Sequence, residues 1–271
     1  MSEAAHEGVY VEGLGRAFGG ALIFAFPLLM TMEMWELGFH MSRARLALFL
    51  ALGLPFVFGL AVYAGFRKAE GRLNDLLDAL AALAVGFTVS LVMLNLFGLI
   101  DWAEPIEANI GKVALQAIPA AMGAVLARKQ FAGASGERGD EDHQASYRGE
   151  LFLMTAGALF LAFNVAPTEE IVLISYMMLP GHTAALALVS LALLHLLVYR
   201  LGFAGQEAHE GHAKAFAEFT LPGFSIAVAV SLYVLWTFGR LDGLALVEIV
   251  STMIVLCFPA SLGAALARLV V

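Results

Sequence analysis

The sequence predicts an all-α membrane protein, with eight transmembrane helices arranged as a 4+4 tandem (parallel) repeat around a pseudo-two-fold axis along the membrane normal. Three observations support this prediction. The 271 residues are 61% hydrophobic and only 14% charged, whereas soluble domains carry about 25% charged residues. Eight apolar segments are long enough to cross a bilayer, which takes about 20 residues. The two halves of the chain also align with each other.

The predicted spans follow one another with short connections, apart from one polar stretch in the middle. Residues 1–15 form a polar, acidic N-terminal segment without the basic start of a secretory signal, so the first span is expected to be retained. Residues 16–128 make the first four-helix repeat, 129–148 a flexible linker and 149–271 the second repeat. The spans are 16–39, 45–66, 75–100, 105–128, 149–176, 181–202, 217–240 and 243–268.

The distribution of Lys and Arg predicts the orientation of the chain. With the N-terminus in the cytoplasm, eleven of these residues fall at the inner ends of the spans. Only Arg43, Arg45 and Arg240 fall at the outer ends, and Lys112 lies within a span. We therefore expect both termini, and the 129–148 linker, to be cytoplasmic.

The internal repeat is visible in polar residues as well as apolar ones. Residues 20–66 align without a gap on residues 157–203, and 13 of the 47 pairs are identical. Residues 89–101 match 230–242, and 118–128 match 258–268. A unit with an even number of spans ends on the side where it began, so both copies are expected to share one orientation.

A Thr-x-Glu motif recurs at matched positions of the repeat. Thr31 and Glu33 follow Pro27 in the first span, whereas Thr168 and Glu170 follow Pro167 in the fifth. Acidic residues are costly inside a bilayer and are functional candidates there. Proline removes a helical hydrogen bond, and we expect it to free the carbonyls of Ile23 and Phe163. Carboxylate, hydroxyl and carbonyl oxygens suit hard cations.

The depth of the motif leaves two interpretations open. In a straight helix, Glu33 lies about 9 Å below an outer end near Phe39, and Glu36 and His40 share its face. The carboxylates could then bind a cation, or they could be interfacial helix-end residues that are hydrogen-bonded or partly hydrated. Trp35 is expected in the interfacial aromatic belt.

Other polar residues have an ordinary structural interpretation beside a functional one. Lys112 could pair with a carboxylate or extend to the outer interface, and His195 could relay protons or be a satisfied core histidine. The lone cysteine, Cys257, is expected to pack between helices. The His209–His212 segment lacks the spacing of a catalytic zinc motif. An acidic outer surface is predicted from Asp101, Glu104, Glu107, Asp242 and Glu248, which would either concentrate cations or be solvated loop charge.

The segments TMEMWELGFHMSRARLAL and FNVAPTEEIVLISYMMLP resemble an uncharacterised bacterial family of integral membrane proteins, known as a domain of unknown function. The resemblance covers nearly the whole membrane region. It implies a multi-pass protein of the bacterial inner (plasma) membrane, and it supplies no activity and no functional residues.

The function predicted from these residues is a cation channel or ion-coupled cation transporter. Glu33 and Glu170 are expected to form a shared site across the axis, where proximity of two acids would let one protonation gate occupancy. Thr31 and Thr168 would add oxygens or fix the helix break, and Glu36 and Glu169 would support the site or attract ions. Ca²⁺ is slightly favoured over Na⁺, K⁺ or H⁺.

Two alternatives come from other classes. A non-transporting scaffold or sensor predicts dry, salt-bridged glutamates without a cavity. An intramembrane lipid-acting enzyme needs His40 or His195 to converge on the acids, and we expect no enzyme. Beyond a bound cation such as Ca²⁺ we expect no cofactor. The expected partners are the lipid bilayer and an inorganic cation, with no nucleic acid, and a homo-oligomer stays open.

Overall fold

The computed structural model of the protein describes residues 3–64, 72–132, 147–200, 214 and 216–267. These residues form helices joined by short turns, and no strand occurs among them. The chain consists of two compact units, Met1–Gly139 and Asp140–Val271. The division falls within the predicted 129–148 linker, of which residues 133–146 lie outside the described ranges.

Unit 1 is organised around its last helix. Its helices are α1 (Glu3–Leu29), α2 (Met32–His40), α3 (Arg43–Ala64), α4 (Arg72–Leu96) and α5 (Ile106–Ala132). Helix α5 packs against all four others, and 83% of its span is buried, compared with 28% of the span in α3. The other helices therefore surround α5.

Unit 2 has the same organisation. It contains α6 (Tyr147–Val165), α7 (Glu170–Met177), α8 (Pro180–Arg200), a π-helical turn (Phe216–Thr220) that continues into α9 (Leu221–Thr237), and α10 (Leu246–Ala267). Helix α10 packs against α6, α7, α8 and α9. In each unit the last helix thus fills the interior.

The peripheral helices carry the apolar surface of a membrane protein. Within the described residues, seven helices are long and apolar enough to cross a bilayer, and an eighth span is obtained if the bent pair α1–α2 counts as one. Large apolar side chains project outward from α3 and α8, among them Leu48, Leu52, Leu188 and Leu196. The predicted all-helical membrane class is confirmed.

Glycine lets the first and last helices of each unit meet backbone to backbone. A Cβ atom added to Gly20 would collide with the carbonyl oxygen of Gly123, and one added to Gly123 would collide with that of Gly20. Gly157 and Gly263 meet in the same way in unit 2. Small residues at helix crossings are the usual means of close packing in membranes, where lipid removes the hydrophobic drive between helices.

Glycine also ends the third long helix of each unit. Gly98 has φ 71° and Gly239 has φ 73°, a left-handed conformation that favours glycine. After α4, the N–H of Leu99 donates to the carbonyl of Leu94, and after α9 that of Arg240 donates to Leu235. These are Schellman motifs, which satisfy carbonyls that a helix end leaves open.

The structure corrects two details of the predicted spans. Helix α1 extends back to Glu3, into the segment predicted to precede the first span. The spans predicted at 16–39 and 149–176 are not single helices, since α1–α2 and α6–α7 are each interrupted by a short break. The other six predictions agree with the observed helices within a few residues.

The glycine crossing gives a stability prediction. Gly20→Ala is expected to destabilise the protein by about 1–3 kcal/mol, the usual cost of overpacking, because the new methyl group meets the Gly123 carbonyl. Gly19→Ala is the matched control: nothing lies within 4 Å of its added Cβ, and alanine favours helix by up to about 1 kcal/mol. Thermal unfolding in detergent checks the pair, and equal midpoints would contradict the prediction.

Candidate functional site

The break in unit 1 separates α1 from α2 and bends the chain by 81°. Pro27 lies inside the last turn of α1, and the break comes after Leu29, six residues beyond the Ile23 carbonyl that the proline was predicted to free. Thr31 takes an extended conformation, and its Oγ1 donates to the Pro27 carbonyl at 2.6 Å. The hydroxyl of Thr31 therefore satisfies a carbonyl at the break.

The break in unit 2 contains its proline. Helix α6 ends at Val165, Pro167 follows in the turn, and α7 begins at Glu170. Thr168 Oγ1 donates to the Val165 carbonyl at 2.9 Å. Both threonines of the repeated motif thus donate a hydrogen bond to a backbone oxygen beside the break.

Arg240 reaches the unit 2 break from the end of α9. Its Nη2 donates to the Pro167 carbonyl, and its Nη1 lies 3.9 Å from a Glu169 carboxylate oxygen. The sequence predicts Arg240 only as one of three outer charges. It carries no signal of this contact, which joins residues 73 positions apart.

The glutamates sit at the start of the short helices. Glu33 is partly exposed in the first turn of α2, and Glu170 is exposed as the first residue of α7. Glu36 is exposed one turn after Glu33. Within the described ranges, none of these three carboxylates makes a hydrogen bond or an ion pair. The positive end of the helix dipole favours acids at such positions.

The bend changes the predicted depth of Glu33. The estimate of about 9 Å assumed that α1 and α2 form one straight helix. Because the chain bends by 81° between the two helices, α2 is nearly perpendicular to α1. The residues of α2 therefore lie at nearly the same depth along the axis of α1. Glu33, Glu36 and His40 therefore lie at one end of unit 1.

A buried lysine holds α2 against α5. Lys112 Nζ lies 2.9 Å from a Glu104 carboxylate oxygen and donates to the Leu99 carbonyl at 2.8 Å. It also lies 4.2 Å from the centre of the Phe39 ring, and only 4% of its side chain is exposed. Of the two roles predicted for Lys112, the structure shows the carboxylate pair.

Hydroxyl groups make the corresponding contact in unit 2. Thr252 Oγ1, on α10, lies 2.8 Å from Ser175 Oγ on α7, and Ser251 Oγ lies 3.0 Å from Thr183 Oγ1 on α8. All four side chains are buried. Lys112 and Thr252 are matched in the repeat, so each unit anchors its short helix to its last helix at this level.

Three of the acidic residues predicted to form the outer surface have partners close to them. Asp101 accepts the N–H of Ala103 at 2.8 Å, and Glu248 accepts that of Ala245 at 2.8 Å. Glu107 pairs with Arg43 at 2.6 Å on an exposed surface. These contacts match their interpretation as helix-end and loop charges, and they reduce the unpaired acidic surface predicted for this side.

An open cavity of about 520 Å³ adjoins the unit 2 break. Its lining includes three acidic residues, one aromatic residue and one arginine: Glu169, Glu170, Asp242, Tyr176 and Arg240. The cavity makes the carboxylate of Glu170 accessible to a solute. The cavity lining carries charges of both signs, so an ion in the cavity would lie near carboxylates and also near a guanidinium group.

Histidine and cysteine are engaged elsewhere. His195 Nδ1 lies 2.8 Å from Thr220 Oγ1 at the π-helical turn, and Cys257 is buried on α10. No three His, Cys, Asp or Glu side chains in the described ranges are grouped so that they could hold a metal ion. The His209–His212 segment lies outside those ranges. A site shared by Glu33 and Glu170 stays a prediction.

The Lys112–Glu104 and Arg43–Glu107 ion pairs differ in burial, and this difference gives a prediction. Lys112→Met keeps the volume but removes the ammonium, leaving Glu104 and the Leu99 carbonyl without it, and should destabilise by about 2 kcal/mol or more. Arg43→Met, which breaks the exposed pair with Glu107, should cost about 0–1 kcal/mol. Thermal unfolding of both variants checks this, and a larger loss for Arg43→Met would contradict it.

Comparison with known proteins identifies the family but no relative of known activity. No curated protein and no solved structure is significantly similar to the chain. A model of a family of integral membrane proteins, designated DUF2391, matches residues 13–271. This match covers both units and nearly the whole length, and it agrees with the resemblance seen in the two Thr-x-Glu segments. The protein is therefore a member of the DUF2391 family of integral membrane proteins, whose function is unknown.

Proposed function

We propose that the protein moves cations across the membrane, as a channel or an ion-coupled carrier, with Glu33 and Glu170 as the ion-binding carboxylates. One observation carries the proposal. Both residues occupy the same register of the repeat, both follow a helix break, and neither has a partner within the described ranges. Acidic residues in membrane segments are rare, usually face the protein interior or a water-filled cavity, and mark ion or proton pathways.

The structural correspondence of the two units supports the repeat on which this proposal depends. The glycine crossing of unit 1 recurs in unit 2 at the registers that the alignment pairs: Gly20 with Gly157, and Gly123 with Gly263. The Schellman glycines, Gly98 and Gly239, are matched as well. We propose that the units are copies of one four-span fold, so that Glu33 and Glu170 occupy equivalent places.

The threonines and Arg240 have supporting roles in this proposal. Thr31 and Thr168 fix the ends of the broken helices, so the position of each glutamate is set by backbone geometry. Arg240 lies beside Glu169 and lowers the negative potential at the cavity mouth of unit 2. Glu36 and Glu169 attract cations toward the two sites, because exposed carboxylates raise the local cation concentration.

The alternative functions make requirements that fit the geometry less well. A scaffold that uses its glutamates only for packing would pair them, yet Glu170 is exposed and lines a cavity. A lipid-acting enzyme would place His40 or His195 on the acids. His195 is bonded to Thr220 instead, and within the described ranges His40 makes no hydrogen bond or ion pair with Glu33 or Glu36. We also propose the orientation given by the positive-inside rule, with both termini in the cytoplasm of a bacterial cell.

The test is ion flux into proteoliposomes, with Ca²⁺, Na⁺, K⁺ and H⁺ measured separately. Glu33→Gln and Glu170→Gln are expected to lower the flux of the transported ion by tenfold or more, about 1.4 kcal/mol, because each removes a charge that binds it. Glu107→Gln is the matched control, since this exposed carboxylate is paired with Arg43 and should leave flux nearly unchanged.

Two outcomes would count against this function. Absence of flux for all four ions in a folded, reconstituted protein would favour the scaffold. Flux that Glu33→Gln and Glu170→Gln leave at the level of the wild type would assign the pathway to other residues. Elution as a single species and an unchanged unfolding midpoint exclude misfolding as the cause of a loss.

Arg240 gives a second functional prediction. Arg240→Leu introduces the residue found at the matched position, Leu99, and removes the charge beside Glu169. The KM for the transported cation should fall at low ionic strength and approach that of the wild type near 1 M salt, where the Debye length is about 3 Å. A KM that is unchanged at low salt would show that Arg240 does not influence the cation.

A further inference from the structure

Gln116 is a buried amide without a partner. It lies on α5, is 0% exposed, and neither Oε1 nor Nε2 makes a hydrogen bond within the described part of the chain. The amide has two donors and one acceptor oxygen. Each buried polar group left unpaired costs about 1–3 kcal/mol, and lipid offers no substitute partner. A small polar molecule that hydrogen-bonds to the amide of Gln116 would therefore remove this cost.

Gln116 is the innermost member of a polar stripe on α5. Asn109, Lys112 and Gln116 are spaced i, i+3 and i+7, so they share one face of the helix. Asn109 Nδ2 donates to the Asp101 carbonyl at 2.8 Å, while its Oδ1 has no described partner. The stripe begins at Asn109 and runs about 10 Å inward to Gln116. Between them, Lys112 contacts Glu104, whose side chain is 31% exposed.

A second unpartnered group lies on the neighbouring helix. Ser90, on α4, is 0% exposed, and its Oγ makes no hydrogen bond within the described residues. One turn earlier, Gly86 packs against the backbone of Ala117 and Ala121. Because α4 and α5 run in opposite directions, Ser90 lies at about the level of Gln116. Two helices thus bring unsatisfied polar groups to one depth.

Unit 2 is different at the matched positions. The repeat places Leu256 opposite Gln116 and Ile249 opposite Asn109. Ser231, matched to Ser90, is equally buried, but its Oγ donates to the Ala227 carbonyl at 2.7 Å. The buried hydroxyls of α7, α8 and α10 bond to one another. The buried polar atoms of unit 2 that have no hydrogen-bond partner among the described residues, Asn164 Oδ1, Thr237 Oγ1 and Arg240 Nε, lie near the break at the ends of α6 and α9. At the level of Ser231 and Leu256 none is found in the described part of unit 2.

We propose that unit 1 holds water in its interior at the level of Gln116 and Ser90, and that this water enters along the stripe from Asn109 past Lys112. Unit 2 is dry at the corresponding level. The two units therefore differ in the hydration of their interiors, with unit 1 providing the hydrated path. This role rests on the proposed cation transport, whereas the hydration itself is measured without any transport.

Cysteine reactivity tests the difference in hydration. Ser90→Cys and Ser231→Cys are made in a Cys257→Ser background, and both are treated in the folded state with methyl methanethiosulfonate. This small neutral reagent reacts with the thiolate, which forms in water and is suppressed in apolar surroundings. Mass spectrometry of the intact protein follows the reaction. We expect the Ser90→Cys variant to react about tenfold faster, or more, than the Ser231→Cys variant.

A second pair tests the amide position. Gln116→Cys is expected to react faster than Leu256→Cys, its matched control in unit 2. Serine and cysteine differ by a single atom, so the Ser90 and Ser231 pair remains decisive if Gln116→Cys fails to fold. Equal, slow reaction at Ser90 and Ser231 would overturn the proposal, and so would fast reaction at both, since unit 2 would then also be hydrated.

The result separates this inference from the transport function. Fast reaction at Ser90 in a protein that conducts none of the four ions would leave a hydrated unit 1 without cation transport. Cation flux in a protein whose Ser90→Cys variant is inert would place the pathway elsewhere, and the hydrated path proposed for unit 1 would be wrong.

Discussion

The architecture of each unit depends on backbone contact between its first and last helices. In lipid, apolar side chains gain little by leaving the solvent, so helices associate through close packing and hydrogen bonds. Gly20 against Gly123, and Gly157 against Gly263, allow the closest approach that two helices can make. This contact places α5 and α10 in the middle of their units, and the remaining helices pack around them. A helix in that position faces protein, which permits polar residues such as Lys112 and Gln116.

The same packing problem has two chemical solutions at the short helices. Helix α2 meets α5 where Gly38 lies against the backbone of Lys112, and the lysine then bonds to Glu104 and Leu99. Helix α7 meets α10 through the Ser175 and Thr252 hydroxyls. Gly38 and Ser175 are matched in the repeat, as are Lys112 and Thr252. Each pair packs the short helix that follows the break against the last helix of its unit. The position of the glutamate in the first turn of the short helix is thereby fixed as well.

The fold was largely predictable because span length and apolar composition do not depend on tertiary contacts. Six of the predicted spans agree with the observed helices within a few residues. The prolines predicted that two helices would be broken, but they did not predict at which residues the breaks would occur. Proline removes one hydrogen bond four residues earlier, but the carbonyls that accept side-chain donors at the breaks are those of Pro27, Val165 and Pro167. Their donors are Thr31, Thr168 and Arg240.

The candidate site was predictable only in part for the same reason. Sequence identified Thr31, Glu33, Thr168 and Glu170 from their repetition, without any knowledge of their partners. It could not show that Arg240 reaches Pro167, since the contact joins residues 73 positions apart. Nor could it show that Gln116 has no hydrogen-bond partner among the described residues, whereas Lys112, one turn away, has three contacts. Such differences arise from which side chains the neighbouring helices present.

The central place of the last helix also affects how the protein is made. Gly20 leaves the ribosome about 100 residues before Gly123, a delay on the order of 5–20 s at ordinary rates of synthesis. During that interval α1 to α4 can enter the membrane, but the groove that α5 will occupy has no permanent occupant. Unit 2 repeats the sequence of events with α10. Assembly of each half is therefore completed by its final segment, and a chain interrupted before that segment would expose glycine-rich helix faces to the insertion machinery and to other nascent chains.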